Sequence, residues 1–446
     1  SRNAQMSAHK TPEARSTEPP VDMLPVEDAV ERILSFCRQL PSETRAIDDA
    51  VGQVLATNVT APFDIPPHDN TAMDGYAVQS LSTDGASEDH PIRLRVIGEL
   101  AAGYLYDKSV GPGEAVRIMT GAPLPNGADT IVPFEETDEE GLRAPGQAHE
   151  TIADVGILKA AGLGNNIRRR GEDVRQGQQV LNAGTVLRGP EIAVLASLGI
   201  AEVKVIRRPR VAILSTGDEL LTPGESPAPG KIYDSNSYGL SALVTQYGGE
   251  PKRFGIAQDT IPALTAKINE ALETCDLVIT SAGVSRGDFD VVKEVLAREG
   301  AIDFWTVRMK PGKPLAFGEF DAPDDRRVPH IGLPGNPVSS LLAFELFGRL
   351  AIYQMMGRKP QPRPIVRAIA DEDIVNTDWR RVYARATLSQ DDDGRWHARL
   401  TGPQGSGVLT SMAIANGYAV CPEDLERVHA GEECDVIMVD WDHPLD

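Results

Sequence analysis

Alternating strand and helix patterns after residue 207 constrain the fold of this chain more than any other feature. Three short apolar runs predict strands, and three stretches with apolar residues three and four positions apart predict helices. In chain order they are the strand 211–214, the helix 238–247, the strand 253–257, the helix 261–272, the strand 277–279 and the helix 291–296. This alternation predicts a parallel sheet covered by helices on both faces.

Acids follow the predicted strands, at the edge where parallel sheets bind their ligands. STGDE brings Glu219 after the first strand, QD brings Asp259 after the second, and SAGVSRGDFD ends at Asp290 after the third. Taken alone, Asp290 is equally consistent with a helix N-cap and Asp288 with a turn. Because parallel strand ends converge, we expect the three carboxylates to face one crevice. Small residues there admit a phosphate, and acids beside a phosphate need a divalent cation such as Mg²⁺.

Two proline-containing turns add positive charge and a helix start. KPGKP at 310–314 places Lys310 and Lys313 beside rigid backbone, which suits phosphate or another oxyanion, although paired surface lysines commonly have no binding role. LPGNPVSS places Asn336 at an N-cap and Pro337 at the first helical position. The start of that helix is either a second anion site or simply a well-formed cap.

Composition excludes several classes of function. The 446 residues suffice for about three domains. With 65 acids against 44 bases the net charge is −21, which disfavours nucleic acid and anionic membranes as partners. No apolar run approaches the ~20 residues of a membrane span, and no secretory signal is recognisable, so we expect a cytoplasmic protein. The four cysteines lack C-x-x-C spacing and the eight histidines lack a metal-ligand pair, which predicts reduced thiols and no zinc site.

The flanking segments have different patterns. Residues 63–167 alternate brief apolar runs with Gly/Pro turns, which predicts a β-rich domain. After about residue 360, ARATL and WHARL flank Asp393-Gly394, a hairpin signal in a small all-β domain. The acidic run 135–140 indicates a solvated loop, and RRRGED at 168–173 indicates a solvated, self-paired surface.

Ten motifs, in this order along the chain, resemble the molybdopterin molybdotransferase family, whose eukaryotic relatives include the E domain of gephyrin. They are DNTAMDGYAV, RIMTGAPLP, NIRRRGEDV, LASLGIAEV, STGDEL, DSN, TSAGVSRGDFD, KPGKPLAFG, LPGNPVSS and GPQGSG. The resemblance implies an α/β multidomain protein: a three-layer α/β molybdopterin-binding domain with a β-rich lid domain, a linking domain and a C-terminal β-barrel. The implied bounds are a disordered tail at 1–22, a discontinuous linking domain at 23–62 and 168–206, the lid at 63–167, the molybdopterin-binding domain at 207–358 and the barrel at 359–446.

The resemblance also implies an activity. Members of the family insert molybdate into adenylylated molybdopterin and release AMP in a Mg²⁺-dependent reaction, which gives molybdenum cofactor. They are homodimers, and the lid of one subunit covers the pterin-binding domain of the other. The implied partners are the molybdopterin adenylyltransferase and the recipient molybdoenzymes or their chaperones.

Site residues are carried over motif by motif. The implied catalytic residues are Asp74, Thr120, Asp173, Glu219, Asp259 and Asp290. The first three of these would act across the dimer, and the last three would hold Mg²⁺. The implied cofactor-binding residues are Ser215, Thr216, Gly217, Asn236, Ser281, Gly283, Ser285, Gly335 and Asn336. For molybdate, a tetrahedral dianion that needs cationic and hydroxyl donors, we expect Lys310, Lys313, Arg385 and Ser406.

One motif departs from the family pattern. Ala282 and Arg286 stand where the family commonly has a glycine and a small or apolar residue. We expect Ala282 to be a mild change, whereas Arg286 either contacts phosphate or points to solvent.

Two other functions fit parts of the sequence. The sister adenylyltransferase has a similar pterin-binding domain, but it carries a T-G-G-T-G turn that is absent here and lacks the additional domains. A non-catalytic scaffold or carrier would bind the pterin without converting it. Retention of all the matched acids argues against the scaffold.

Overall fold

The computed structural model describes residues 18–142, 152–282 and 291–440. These form two compact units. The first unit runs to Ala56 and resumes at Val186–Arg188 and from Glu202 onward; the second comprises Thr57–Thr185 and Gly189–Ala201. No helix within the described ranges is long and apolar enough to cross a membrane. Most of the predicted disordered tail, residues 1–17, lies outside these ranges.

A six-stranded mixed sheet forms the centre of the first unit. In spatial order its strands are Glu250–Ala257, Arg210–Thr216, Leu277–Ser281, Arg327–Leu333, Pro314–Asp321 and Gly300–Thr306. The first four are parallel, and the last two continue the sheet in antiparallel pairing. The predicted parallel sheet is therefore confirmed, with an antiparallel extension that the sequence pattern did not indicate.

Helices cover both faces of this sheet. They are Val26–Phe36, Ser235–Gln246, Ile261–Thr274, Val291–Glu299, Pro337–Ala343 and Arg349–Met355, the last two joined by a π-helical turn at Phe344–Gly348. Along one central strand, Val211 and Ile213 join the core on one face, whereas Ala212 and Leu214 join the core on the other. A strand buried on both faces gives a continuous apolar run, which is why the sequence revealed it.

A closed five-stranded barrel forms the C-terminal region. Its strands are Ile365–Ala370, Arg381–Gln390, Trp396–Leu400, Gly417–Cys421 and Glu433–Met438. The long strand Arg381–Gln390 pairs with both Trp396–Leu400 and Gly417–Cys421, which closes the barrel. The predicted hairpin is confirmed: residues 391–395 connect two of these strands, and Gly394 has a φ of 78°.

Shorter elements complete the first unit. They are the antiparallel pairs Ser42–Ala46 with Glu202–Ile206 and Ile374–Val375 with Arg427–Val428, the parallel pair Leu220–Leu221 with Ile232–Tyr233, the 3₁₀ turn Ile47–Asp49 and the helix Thr410–Ile414. Met309–Lys310 lies parallel to the first residues of the strand Arg381–Gln390. The four cysteines are free and buried, as expected.

The second unit is built on a five-stranded sheet, which agrees with the predicted β-rich region. In spatial order its strands are Thr130–Pro133, Gly75–Val78, Glu114–Ile118, Ile92–Leu100 and Asp154–Ile157. Its other elements are the pairs Asn70–Thr71 with Ile167–Arg168 and Val59–Thr60 with Gln179–Leu181, the helices Glu139–Leu142 and Gly189–Ser197, and the 3₁₀ turns Ser80–Thr83 and Phe134–Glu136.

Two sequence interpretations in this unit were wrong. The acidic run 135–140 is not a solvated loop throughout, because Glu139 is 4% exposed and accepts from the buried Arg117 at 2.8 Å. The arginines of RRRGED are not paired mainly with their own acids: Arg169 Nη1 lies 2.8 Å from Asp69, and Arg170 Nε lies 2.5 Å from Asp64. In both cases the partner is distant in sequence, so composition alone could not identify it.

Candidate functional site

A cavity of about 410 Å³ opens at the carboxyl ends of the parallel strands in the first unit. Its walls come from the turns after Thr216, Ser281 and Leu333 and from the start of the helix Ser235–Gln246. Six of the predicted site residues line it: Thr216, Glu219, Asn236, Ser281, Gly335 and Asn336. The convergence of strand ends thus brings these residues to one place, as parallel topology requires.

Glu219 supplies the exposed carboxylate of this cavity, and a glycine makes room for it. Gly217 has a φ of +142°, a conformation that residues with a side chain rarely adopt. A Cβ atom on Gly217 would lie 2.5 Å from Glu219 Oε2 and 2.7 Å from Oε1. The STGDE turn therefore folds the carboxylate of Glu219 back against its own backbone, beside the end of the strand.

Asp234 fixes one wall of the cavity. It is 4% exposed and caps the helix Ser235–Gln246 by accepting from the backbone N–H of Ser237 at 3.1 Å. The Ser237 hydroxyl donates to it at 2.6 Å, and the Ser215 hydroxyl donates at 3.1 Å. Ser215 was predicted to bind cofactor, but it is 1% exposed and its hydroxyl is engaged by Asp234. The contact joins a central strand to the start of the helix.

Asn236 connects three turns of the cavity. Its Nδ2 donates to Ser281 Oγ and to the carbonyl oxygen of Gly335, both at 2.8 Å. Because a carbonyl only accepts, this second bond fixes which way the amide points. Asn236 Oδ1 is then a buried acceptor with no hydrogen-bond partner. Buried polar atoms are normally hydrogen-bonded to protein or to ordered water.

Ala282 follows the third strand in a strained conformation. Its φ is +89°, a region that favours glycine. A Cβ on the neighbouring Gly335 would lie 3.4 Å from Ala282 Cβ, so the two turns are in close contact. The expectation that alanine is a mild change here was wrong, because the backbone at this position has the geometry of a glycine.

The helix that begins at Pro337 has the predicted start, but its first N–H groups are not all free. Asn336 occupies the N-cap position without a side-chain cap, and Pro337 is the first helical residue. The N–H of Val338 donates to the carbonyl oxygen of Ser406 at 3.2 Å. Ser406 therefore contacts this helix through its backbone, and its predicted role toward molybdate stays a prediction.

The predicted metal ligands are not arranged as a complete metal site. Glu219 lines the cavity, whereas Asp259 does not, and the N–H of Asp259 donates to Asp218 Oδ1 at 3.3 Å. In the part of the chain that the structure covers, no group of three or more His, Cys, Asp or Glu side chains is placed to hold a metal. Asp290 lies outside the described residues, as do Gly283, Ser285 and Arg286.

The residues predicted for molybdate differ in accessibility. Lys310 is half-buried, 3.6 Å from Asp378 Oδ2 and 3.4 Å from Thr377 Oγ1, whereas Lys313 is exposed. Arg385 is 1% exposed and donates to Ser411 Oγ and to the carbonyl oxygen of Gly405, each at 3.0 Å. Burial lowers the pKa of Arg385. Arg385 thus holds the loop of the GPQGSG motif in place.

The remaining predicted residues belong to the second unit. Asp74 is exposed, and both the backbone N–H and the hydroxyl of Thr120 donate to its Oδ1 at 2.8 Å. These two hydrogen bonds, the backbone one foremost, lower the pKa of Asp74. Asp173 is also exposed. Asp74 and Thr120 therefore form one hydrogen-bonded pair, in which the Asp74 carboxylate is kept ionised.

Part of the cavity wall was not predicted from the sequence. Ile232 and Tyr233 line the cavity although they are 60% and 41% exposed, and the Tyr233 hydroxyl donates to the carbonyl oxygen of Glu225 at 2.7 Å. Asp234 was also missed, although its motif DSN was recognised. The available signal was an apolar pair directly before that motif, at the end of a polar, proline-containing loop.

The chain is similar to one family of proteins along most of its length. Three family models match: the MoeA N-terminal region (domain I and II) at residues 24–199, the probable molybdopterin binding domain at 212–354 and the MoeA C-terminal region (domain IV) at 367–439. Together these matches leave only short segments of the chain uncovered.

Individual proteins agree with these models. A molybdopterin molybdenumtransferase of Nostoc sp. is 38% identical over 428 residues, which cover 94% of this chain and 95% of that protein. Molybdopterin molybdenumtransferase 2 of Mycobacterium tuberculosis is 36% identical over 419 residues, covering 93% and 97%. The crystal structure of a molybdopterin biosynthesis MoeA protein from Pyrococcus horikoshii has a TM-score of 0.74 and 31% identity, covering 93% of this chain and all of that one. This chain therefore belongs to the MoeA family, whose relatives named here are molybdopterin molybdenumtransferases.

Proposed function

We propose that this chain transfers molybdenum to molybdopterin in the cavity at the strand ends, with adenylylated molybdopterin and molybdate as substrates and AMP as the second product. The observation that carries the proposal is the Glu219 carboxylate, folded against Gly217 at the edge of a cavity whose other polar groups are mostly neutral. Membership of the MoeA family indicates molybdenum transfer as the reaction, and the cavity beside Glu219 is where we expect the substrate to bind.

The neutral groups suit the anionic part of the substrate. Thr216, Ser281 and Ser339 line the cavity with hydroxyl-bearing side chains, whereas the N–H of Ser237 in the first turn of the helix Ser235–Gln246 already donates to Asp234. Hydroxyls donate hydrogen bonds to phosphate oxygens without adding a fixed positive charge. Asn236 Oδ1, the buried acceptor, is suited to an N–H or O–H donor such as those on a pterin ring.

We propose that Mg²⁺ is held partly by carboxylates of the protein and partly by phosphate oxygens of the substrate. Magnesium sites commonly use one or two protein carboxylates and complete the shell with water and substrate phosphates. Glu219, Asp259 and Asp290 are the proposed ligands; of these, Glu219 lines the cavity, Asp259 does not, and Asp290 lies outside the described residues. Bound there, the ion would offset the charge that develops on the anhydride oxygens.

Positive charge for molybdate comes from the KPGKP turn. Lys313 is exposed, and Lys310 shares its ammonium group with Asp378. Pro314, at the end of the same turn, lines the cavity. We assign molybdate binding chiefly to Lys313, with Arg385 holding the neighbouring loop.

The proposal includes a cytoplasmic homodimer in which Asp74, Thr120 and Asp173 act on the partner's cavity. The Asp74–Thr120 pair supports this, because an exposed carboxylate that two hydrogen bonds keep ionised can bind a cation or accept a hydrogen bond at the partner's cavity. The adenylyltransferase that makes the substrate and the apoenzymes or chaperones that receive the product are the partners this role requires.

The test mixes purified protein with adenylylated molybdopterin, molybdate and MgCl₂, and it measures AMP by chromatography. Wild type should release AMP, and Glu219→Gln should release it about 10²-fold more slowly, because one carboxylate at the reacting group is lost. Glu273→Gln, at an exposed glutamate on the helix Ile261–Thr274, is the matched control and should behave as wild type. Tight substrate binding without AMP release would indicate the non-catalytic scaffold instead.

A further inference from the structure

The first unit contains a second cavity, away from the strand ends. It has a volume of about 380 Å³ and lies between the helices Val26–Phe36 and Arg349–Met355 and the barrel. Most of its wall is apolar, with Val30, Leu346 and Ile437 among the lining residues. At about 30 Å³ per water-sized group it holds roughly a dozen such groups, which is within the range of small-ligand sites. Nothing in the proposed reaction uses this cavity.

Five charged side chains line the cavity: Glu27, Glu345, Arg349, Arg363 and Arg381. Arg381 is paired with Glu27 and Glu423, so it already has counterions. Glu345 is 5% exposed and accepts from Arg363 Nε at 3.2 Å and from the hydroxyl of Tyr247. Each of its two carboxylate oxygens is thus engaged. Glu345 belongs to the π-helical turn Phe344–Gly348, an irregularity that often accompanies a functional site.

Arg349 is the charge that this cluster leaves without a direct counterion. It is 6% exposed, and its Nη2 donates to the carbonyl oxygen of Gln361 at 3.0 Å. Its Nε has no hydrogen-bond partner. Glu345 is taken by Arg363, and no described carboxylate lies within the 4.0 Å ion-pair distance of Arg349. Burial and the like charge of Arg363 lower the pKa of Arg349, and the charge of Glu345 and a contact with Tyr353, whose ring centroid lies 5.3 Å from Arg349 Cζ, offset them only in part.

A buried guanidinium with an unmet N–H is costly unless an anion reaches it. Planar carboxylates match the donor geometry of arginine better than a spherical ion does. The apolar walls, in turn, suit a hydrocarbon tail. We propose that this cavity binds a small carboxylic acid with an apolar tail, its carboxylate on Arg349 and its tail between the helix Val26–Phe36 and the barrel.

The experiment titrates hexanoate into the full-length protein by calorimetry, with hexanamide as the uncharged probe of the same shape. Saturable binding of one hexanoate per chain is expected, and hexanamide should bind at least tenfold more weakly because it lacks the charge. Arg349→Gln should weaken hexanoate binding by a similar factor. Equal binding of the two probes, or no saturable hexanoate binding, would overturn the proposal.

A second pair of variants keeps the test valid if Arg349→Gln does not fold. Ile365 lines the cavity and is 57% exposed, so Ile365→Trp should fill the entrance while the core stays intact. Ile414→Trp is the matched control, since Ile414 is 52% exposed and does not line the cavity. Hexanoate binding should be lost in the first variant and kept in the second. If Ile365→Trp instead alters self-association in sedimentation and leaves hexanoate binding unchanged, the surface is an interface between copies and the proposal is wrong.

Discussion

Gly217→Ala should slow AMP release strongly without unfolding the protein. The new methyl group would lie 2.5 Å from Glu219 Oε2 and 2.7 Å from Cδ, distances that cannot persist. The carboxylate is on an exposed, flexible side chain, so it should move by roughly 1 Å rather than force the strand apart. A displacement of that size at a reacting centre costs about 10²-fold in rate.

Backbone strain must be separated from this displacement. At a φ of +142° an alanine costs about 1–3 kcal/mol, which in a domain of this size lowers Tm by roughly 2–10 °C. Gly224 provides the matched control, because its φ is +100° but nothing lies within 4 Å of an added Cβ. Gly224→Ala should therefore lose stability to a similar degree and keep its turnover.

The assay compares AMP release and thermal unfolding for wild type and both variants. The expected result is a similar drop in Tm for the two variants and a large rate loss in Gly217→Ala alone. If both variants lose turnover equally, or if Gly217→Ala retains it, then the placement of Glu219 against Gly217 does not matter for the reaction and the reasoning is refuted.

Three further predictions concern other parts of the chain. Ala282→Gly should raise Tm by roughly 2 °C, because relief of a φ of +89° exceeds the added freedom of the unfolded chain; an unchanged or lower Tm in a thermal scan would contradict this. Hydrogen bonds, chiefly to Asp371, raise the pKa of His397, so its stabilising effect is complete below pH 6.5 and is lost as pH rises through the raised pKa; His397→Gln should flatten that part of the stability profile measured by urea unfolding. Thr120→Val removes one of the two donors to Asp74, so the pKa of Asp74 should rise toward its ordinary value in an NMR titration, and no change would contradict the hydrogen bond.

The central fold could be predicted because its strands are buried on both faces. Val211 to Leu214 gives an uninterrupted apolar run, and Leu264, Ile268 and Leu272 mark one buried face of the helix between two strands. The antiparallel strands Gly300–Thr306 and Pro314–Asp321 were missed. They mix polar and apolar residues and have glycine or proline at their starts, so they do not stand out from loops.

The site could be predicted where its chemistry lies in consecutive residues. Thr216 and Ser281 are the last residues of neighbouring parallel strands, so parallel topology was enough to bring them together. Asp234 was missed because its importance lies in hydrogen bonds to Ser215 and Ser237 that exist only in the folded chain. The burial of Arg385 could not be predicted either, since the sequence does not tell which side of a barrel strand faces the core; its role toward molybdate stays a prediction.

The most direct measurement is a crystal structure of the protein with adenylylated molybdopterin and Mg²⁺. We expect the anhydride beside Glu219 and a ring donor on Asn236 Oδ1, within the cavity at the strand ends. Density for the intact substrate bound elsewhere on the chain, with this cavity filled by water alone, would contradict this expectation.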